Sequence, residues 1–272
     1  MINCGLFAEF GRFVVSQTLK KPRPLIVGIN GCQGSGKSTL AKFLAHYIQT
    51  NFLLNVTVLS LDDFYLSHDA RKQKAQDIHP LFVTRGVPGT HNINLLSETL
   101  TRLSSHQTPV ILPSFDKGID DLLPVAQWQH LEKSPDIIII EGWCWGVEPQ
   151  NEQALAMPVN SLEAKKDPLG HWRRHVNECL TTHYLPLYGF VDHWLFLRAP
   201  SFAVVKSWRI EQEQALISNG AAKAMSSEEV EEFIQYFQRL TEHALMTFHQ
   251  KAHTVWWLDD HRHIKQVDNR EC

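Results

Sequence analysis

The chain has 272 residues, 43% of them hydrophobic, which is enough for a substantial core in one large α/β domain or two small ones. Lys and Arg total 26 against 29 Asp and Glu, so no overall basic field marks a nucleic-acid partner and a small-molecule substrate is expected. The 5 cysteines (Cys4, Cys32, Cys144, Cys179 and Cys272) are scattered and odd in number without a Cys-x-x-Cys pair, which argues against a disulfide framework and for a reducing, cytoplasmic setting.

In chain order, residues 4–19 pattern as an amphipathic helix, with Glu9 and Arg12 interrupting the apolar run, so neither a secretory signal nor a membrane span is expected. The stiff connector Lys20-Lys21-Pro22-Arg23-Pro24 follows, and the division expected is residues 1–24 as helix and connector, then 25–272 as a single domain. Short apolar runs at 25–30, 56–60, 136–140 and 191–197, with a fifth at 254–258, have strand character, and an unbroken run such as Ile137-Ile138-Ile139-Ile140 fits a strand covered on both faces. Helical patterns at 38–50, 94–103, 169–184, 201–218 and 226–249 alternate with them, which predicts an α/β doubly wound, mostly parallel sheet. Three segments exceed a minimal version of that fold: 61–92 and 112–131 read as long loops at strand ends, where such folds place substrate, and 146–166 reads as a surface insertion.

Between the first strand and its helix stands Gly31-Cys32-Gln33-Gly34-Ser35-Gly36-Lys37-Ser38, followed by Thr39. This G-x-x-x-x-G-K-S spacing lets glycine backbone turn N–H groups onto phosphates, with Lys37 reaching the β/γ-phosphates and the Ser38 hydroxyl ligating Mg²⁺. The N-terminal end of the following helix adds partial positive charge. Residues 31–39 are thus the expected triphosphate cradle. Cys32 lies within it, where Lys37 and backbone donors are expected to lower the thiol pKa, and redox control is a side hypothesis.

Many protein classes share such a loop, so other residues must discriminate. Asp62 and Asp63 follow the second strand directly; a carboxylate there can take the proton of an attacking hydroxyl, and Asp62 is the candidate base, weighed against a turn-capping role. Ile137-Ile138-Ile139-Ile140-Glu141-Gly142 has the form of a Walker B strand, with Glu141 as the second Mg²⁺-associated acid. After 191–197 there is no Asn-Lys-x-Asp guanine reader, which argues against a regulatory GTPase.

Residues 28–40, 59–65, 85–92, 113–121 and 137–147, together with Trp208-Arg209-Ile210-Glu211-Gln212-Glu213 and Met225-Ser226-Ser227-Glu228-Glu229-Val230, resemble ATP-dependent kinases of the glycerate kinase type, a group similar to uridine kinase, phosphoribulokinase and pantothenate kinase. Leu-Asp-Asp-Phe-Tyr and Arg-Gly-Val-Pro-Gly-Thr-His-Asn carry the subgroup signal. The resemblance implies transfer of the ATP γ-phosphoryl to a small hydroxy acid, D-glycerate first, with a uridine or pantothenate kinase, or a regulatory NTPase, as alternatives. It implies Asp62 as base, Glu141 as second acid and the Arg209 helix as a lid over the phosphates. Arg209 would then be a cation on the transferring group, ahead of Lys206, with an ion pair to Glu211 or Glu213 as the other reading. On the acceptor side, Arg85 is the leading carboxylate ligand by its planar fork. Asp63, Tyr65, His91, Asp116 and Lys117 complete the candidate acceptor set. A satisfied side chain is weighed against His79 and His91, and a solvated turn against Asp116 and Lys117. His171 and His175 stand at helical i, i+4 spacing but read as a basic helix face; Trp143, Trp145, Trp256 and Trp257 read as core or pocket wall.

Overall fold

A computed structural model describes residues 4–21, 23–218 and 225–270; Pro22 of the connector and Cys272 lie outside them. The helix α1 (Cys4–Thr18) leads to β1 (Leu25–Gly31), α2 (Lys37–Phe52), β2 (Val56–Ser60), α3 (His68–Asp77) and α4 (Ile93–Ser104). Two small hairpins follow, their strands being β3 (Val110–Leu112), β4 (Phe115–Asp116), β5 (Asp121–Leu122) and β6 (Gln129–Leu131). Then come β7 (Ile137–Gly142), α5 (Glu152–Leu155), α6 (Ser161–Lys166), α7 (His171–Cys179), β8 (His193–Arg198), α8 (Phe202–Ser218), α9 (Ser227–Thr247), β9 (Thr254–Leu258) and β10 (Ile264–Asn269).

The main sheet runs β10-β9-β8-β1-β7-β2, parallel except for the β9–β10 pair. Every residue of β1 and β7 is buried, which explains their unbroken apolar runs: both faces are covered by helices. Because β1 lies between β7 and β8 rather than beside β2, the chain leaves it across a topological switch point, and the crevice there opens at the carboxyl ends of the strands. The connector is tied to the sheet through Asp192, which pairs with Arg23 at 2.7 Å and Lys21 at 3.0 Å. Helix α1 packs on α2, with Gly11 against Tyr47, and Phe7 stacks on Trp256 at 5.2 Å.

Several boundaries differ from those read in the sequence, each for a local reason. Residues 61–92 are not an open loop: α3 lies inside them, capped by the Ser67 side chain, and its one fully buried residue is Arg71. Residues 112–131 fold into hairpins rather than a free loop. The helix expected over 169–184 changes at Leu180 into a wider π turn, Leu180–Tyr184. Residues 146–166 are not merely a surface insertion, since Val147, Leu155, Leu162 and Glu163 are buried. The strand β10 pairs antiparallel with β9 at the sheet edge and was not anticipated. Among the described residues no helix is long and apolar enough to cross a membrane.

Candidate active site

The loop between β1 and α2 has the conformation an anion needs. Gly36 stands before the helix with φ 88°, and no side chain caps the helix start, so its N–H groups point outward without an internal acceptor. Gly34 has φ 77°, and a Cβ there would come within 2.7 Å of Trp208 Cβ on α8, so only glycine lets the loop approach that helix. Arg262, in the turn after β9, donates from Nε to Gly34 O at 2.7 Å and lies 4.9 Å over the Trp208 ring.

Strand register brings the two acids to this loop. Ser60 is level with Glu141 across the β2–β7 pair, and both hydroxyls, Ser38 Oγ at 2.7 Å and Ser60 Oγ at 3.0 Å, donate to Glu141 Oε1. Lys37 Nζ lies 3.9 Å from Glu141 Oε2, and that oxygen is buried with no hydrogen-bond partner. Asp62 is the second residue of the short 3-10 turn Leu61–Phe64 that follows β2; its Oδ1 accepts from Tyr65 OH at 3.0 Å and its Oδ2 from Lys117 Nζ at 2.6 Å.

A recess of about 210 Å³ joins these groups, lined by Gln33, Gly34, Lys37 and Ser38 of the loop, Ser60, Asp62, Tyr65, Arg85, Lys117, Glu141 and Trp143, and by Arg209, Gln212, Phe233 and Phe237 of α8 and α9. Ten of the candidate site residues named from the sequence therefore meet in one place: Gln33, Gly34, Lys37, Ser38, Asp62, Tyr65, Arg85, Lys117, Glu141 and Arg209, the last closing it from α8. Gly31, Cys32, Ser35, Gly36 and Thr39 shape the loop without lining the recess. Three acceptor candidates do not line it either. Asp63 Oδ1 accepts from Phe115 N at 3.3 Å, Asp116 Oδ1 from Gly118 N at 2.7 Å, and His91 is buried with Nδ1 2.6 Å from Tyr184 OH and its ring stacked 4.4 Å from Tyr65. Ser60, Gln212, Phe233 and Phe237 were not anticipated. Gly86 explains why α9 comes so close: it has φ 144°, and a Cβ would lie 2.6 Å from the Phe237 ring.

The cations that line the recess are partly occupied. Arg85 pairs with Asp120 and Arg209 with Glu213, whereas Lys206 does not line the recess and pairs with Glu231 at 2.6 Å. Glu213 also accepts from Met225 N at 2.9 Å, so the carboxylate that holds Arg209 ties α8 to the start of α9.

Electrostatics separate the roles further. Burial by itself would raise the Asp62 pKa, but Lys117 and Lys37 outweigh it and hold the carboxyl below the usual carboxylate range. Burial, reinforced by the Asp62 charge, keeps the Tyr65 phenol protonated and able to donate. Burial pushes His91 down to about 3, so this ring is neutral near pH 7. Asp63 is raised, by burial first and then by Asp62 and Glu141. Cys32 corrects the redox expectation: burial pushes its thiol up to about 12, more than Lys37 lowers it, so no thiolate forms at neutral pH. Cys32, Cys144 and Cys179 are free and buried among the described residues.

Because Lys117 is foremost among the groups that lower the Asp62 pKa, Lys117→Met should move the acid limb of kcat/KM to higher pH than in the parent. Profiles of both proteins from about pH 4 to 8 check this, and superimposable limbs would mean that another group titrates.

A larger cavity of about 550 Å³ lies under α1, lined by Phe10, Phe13, His193, Thr254, Trp256 and Val267, and carries none of the phosphate-loop residues.

Similarity to known proteins settles the family. Over 255 residues the chain is 32% identical to the kinase mug58 of Schizosaccharomyces pombe, covering 89% of this chain and 88% of that one. The chain belongs to the P-loop kinases related to D-glycerate 3-kinase, uridine kinase and pantothenate kinase. It is 29% identical over 223 residues to the chloroplastic D-glycerate 3-kinase of Arabidopsis thaliana, covering 79% of this chain and 46% of that protein. The D-glycerate 3-kinase structure from Cryptococcus neoformans superposes with a TM-score of 0.82 at 24% identity, over 97% of this chain and 98% of that one, and so shares the fold. No family model matches the chain.

Proposed function

We propose that this P-loop kinase uses ATP to phosphorylate a hydroxyl of a small acid, D-glycerate in particular, giving 3-phosphoglycerate. The observation that carries this reading is the content of one small recess: the phosphate loop and Glu141 on one side, Asp62 in the middle, and Arg85 and Lys117 on the other. Arg85 beside Asp62 suits an acceptor that carries a carboxylate near its hydroxyl better than an uncharged nucleoside. Similarity to D-glycerate 3-kinases supports the same acceptor.

In this reading the loop N–H groups and Lys37 hold the triphosphate, and Arg85 takes the acceptor carboxylate. Asp62, ionised and fixed by Tyr65, accepts the acceptor's hydroxyl proton as the new O–P bond forms and the bond to the β,γ-bridging oxygen breaks. Arg209, swung from Glu213, adds positive charge to the transferring group. Phe233, Phe237 and Trp143 keep water from the acceptor side.

The residues also fit a Mg²⁺ ion. Glu141 Oε2 is buried without a hydrogen-bond partner while its Oε1 accepts from Ser38, and no cluster of three His, Cys, Asp or Glu forms a protein-only cage among the described residues. Ser38 and Glu141 would hold the ion together with phosphate oxygens, directly or through water, and the ion would neutralise phosphate charge.

An ADP-release screen with D-glycerate, uridine, ribulose 5-phosphate and pantothenate tests the proposal, with the product phosphate located by NMR. Turnover of D-glycerate to the 3-phosphate is expected. Turnover of uridine or pantothenate alone would reassign the acceptor, and tight GTP binding without any turnover would overturn the kinase chemistry.

A further inference from the structure

The acceptor side of the recess comes from three segments far apart in the chain: Asp62 and Tyr65, Arg85, and Lys117 in the β4–β5 turn. One side chain that does not line the recess joins all three. Arg71 on α3 is 0% exposed. Its Nε donates to Leu66 O at 3.2 Å, one terminal nitrogen donates to Val83 O at 3.0 Å, and the other to Asp120 O at 2.7 Å. Each accepting carbonyl lies within three residues of a recess group: Leu66 follows Tyr65, Val83 precedes Arg85 by two, and Asp120 follows Lys117 by three. A planar fork can serve three separate carbonyls at once; an ammonium, a point donor, cannot match that geometry.

Asp120 carries the link from this hub to the acceptor. Its Oδ2 lies 3.0 Å from Arg71, and its Oδ1 pairs with Arg85. It has φ 58°, a left-handed conformation that a residue with a side chain keeps where its surroundings hold it. The Phe115 ring supports both guanidinium groups, at 5.8 Å from Arg71 and 5.6 Å from Arg85. The triad of two arginines and one aspartate carries one net positive charge, and Arg85 is its member that lines the recess. That is the complement of a single carboxylate.

We propose that Arg71, acting through Asp120, is a positioning residue that fixes Arg85 for an acceptor bearing one carboxylate, and so sets acceptor affinity without touching the nucleotide. The inference rests on the reading of the acceptor as a small acid. It separates two halves of the site: the phosphate loop is held by Arg262 and Trp208, whereas the acceptor wall is held by Arg71.

The test compares Asp120→Asn, Asp120→Glu and Arg71→Lys with the parent, taking KM for acceptor and for ATP separately, with thermal unfolding alongside. Asp120→Asn keeps the backbone carbonyl that Arg71 bonds, and its side chain is 36% exposed, so the variant should fold even where Arg71→Lys does not. Asp120→Asn is expected to raise acceptor KM roughly tenfold or more while ATP KM stays within about twofold, and Asp120→Glu to recover part of the loss. An unchanged acceptor KM in Asp120→Asn, or an equal rise for ATP, would overturn the positioning role; a lower melting temperature with both KM values intact would make the triad merely structural and overturn it as well. A parent that phosphorylates pantothenate but not D-glycerate sinks the glycerate reading alone, since pantothenate also has one carboxylate and the same comparison is then made with it. A parent active only on uridine, or on none of these acceptors, sinks both.

Discussion

Asp62→Asn is expected to lower kcat by roughly two to four orders of magnitude, with ATP KM and the melting temperature close to the parent's. The substitution keeps size and shape, so Tyr65 can still donate to the remaining carbonyl oxygen. What is lost is the charge and the acceptor face turned to the substrate hydroxyl. The depressed pKa of Asp62 sharpens the expectation: it is ionised throughout the neutral range, so its base form is always present and no pH change near 7 should mimic the variant. A low pKa also makes a carboxylate a weak base. In a loose phosphoryl-transfer transition state the hydroxyl proton moves late, and a fixed carboxylate contributes mainly by orienting the hydroxyl and stabilising its developing positive charge. ADP release under saturating ATP and acceptor checks the prediction, with single-turnover kinetics to place the loss in the chemical step. A loss below tenfold would show that the phosphate loop and the cations around the recess supply nearly all of the rate.

Which parts of this site were readable in the sequence follows from what leaves a periodic or short-range trace. The phosphate loop is a contiguous motif, and Ile137 to Ile140 form an apolar tetrad because β7 is buried on both faces. Glu141 and Asp62 could be placed because they end such strands. Arg71 left no trace: α3 is almost wholly polar, its buried residue is an arginine, and the partners that explain it are backbone carbonyls up to 49 residues away. Asp63 and Asp116 looked as available as Asp62 and Lys117, yet each is turned to a backbone N–H of the β4–β5 hairpin, a long-range fold that the Pro- and Gly-containing segment does not announce. Phe233 and Phe237 follow helical spacing, which marks them as buried but not as walls of a recess. The strand β10 was hidden because Ile264, Val267 and the polar residues between them alternate poorly, as an edge strand with a register shift can.

The second large effect concerns stability and lies away from the chemistry. Arg239 on α9 donates to both oxygens of Glu163, at 2.8 and 2.6 Å, and to the carbonyls of Ala154 and Met157 at 2.8 and 2.7 Å, with both charged side chains almost fully buried. One guanidinium thus fastens the α5–α6 segment to the helix that carries Phe233 and Phe237. Glu163→Gln leaves the Arg239 charge buried without its counter-ion and should cost about 3–5 kcal/mol of folding stability. That is a large part of the roughly 5–15 kcal/mol that ordinarily separates folded from unfolded protein. Replacing both partners, Glu163→Leu with Arg239→Met, should cost clearly less than the single change, because no charge is then left to desolvate, although the carbonyls of Ala154 and Met157 still lose a donor. Denaturant unfolding of the parent, the single and the double variant measures the difference directly. A single variant that loses less than about 1 kcal/mol would mean that water reaches Arg239 and compensates its charge. The same experiment reads out on the site. If α9 is held in place by this pair, the single variant should also raise acceptor KM, because Phe237 packs on Gly86, the residue next to Arg85, and a looser α9 frees that loop.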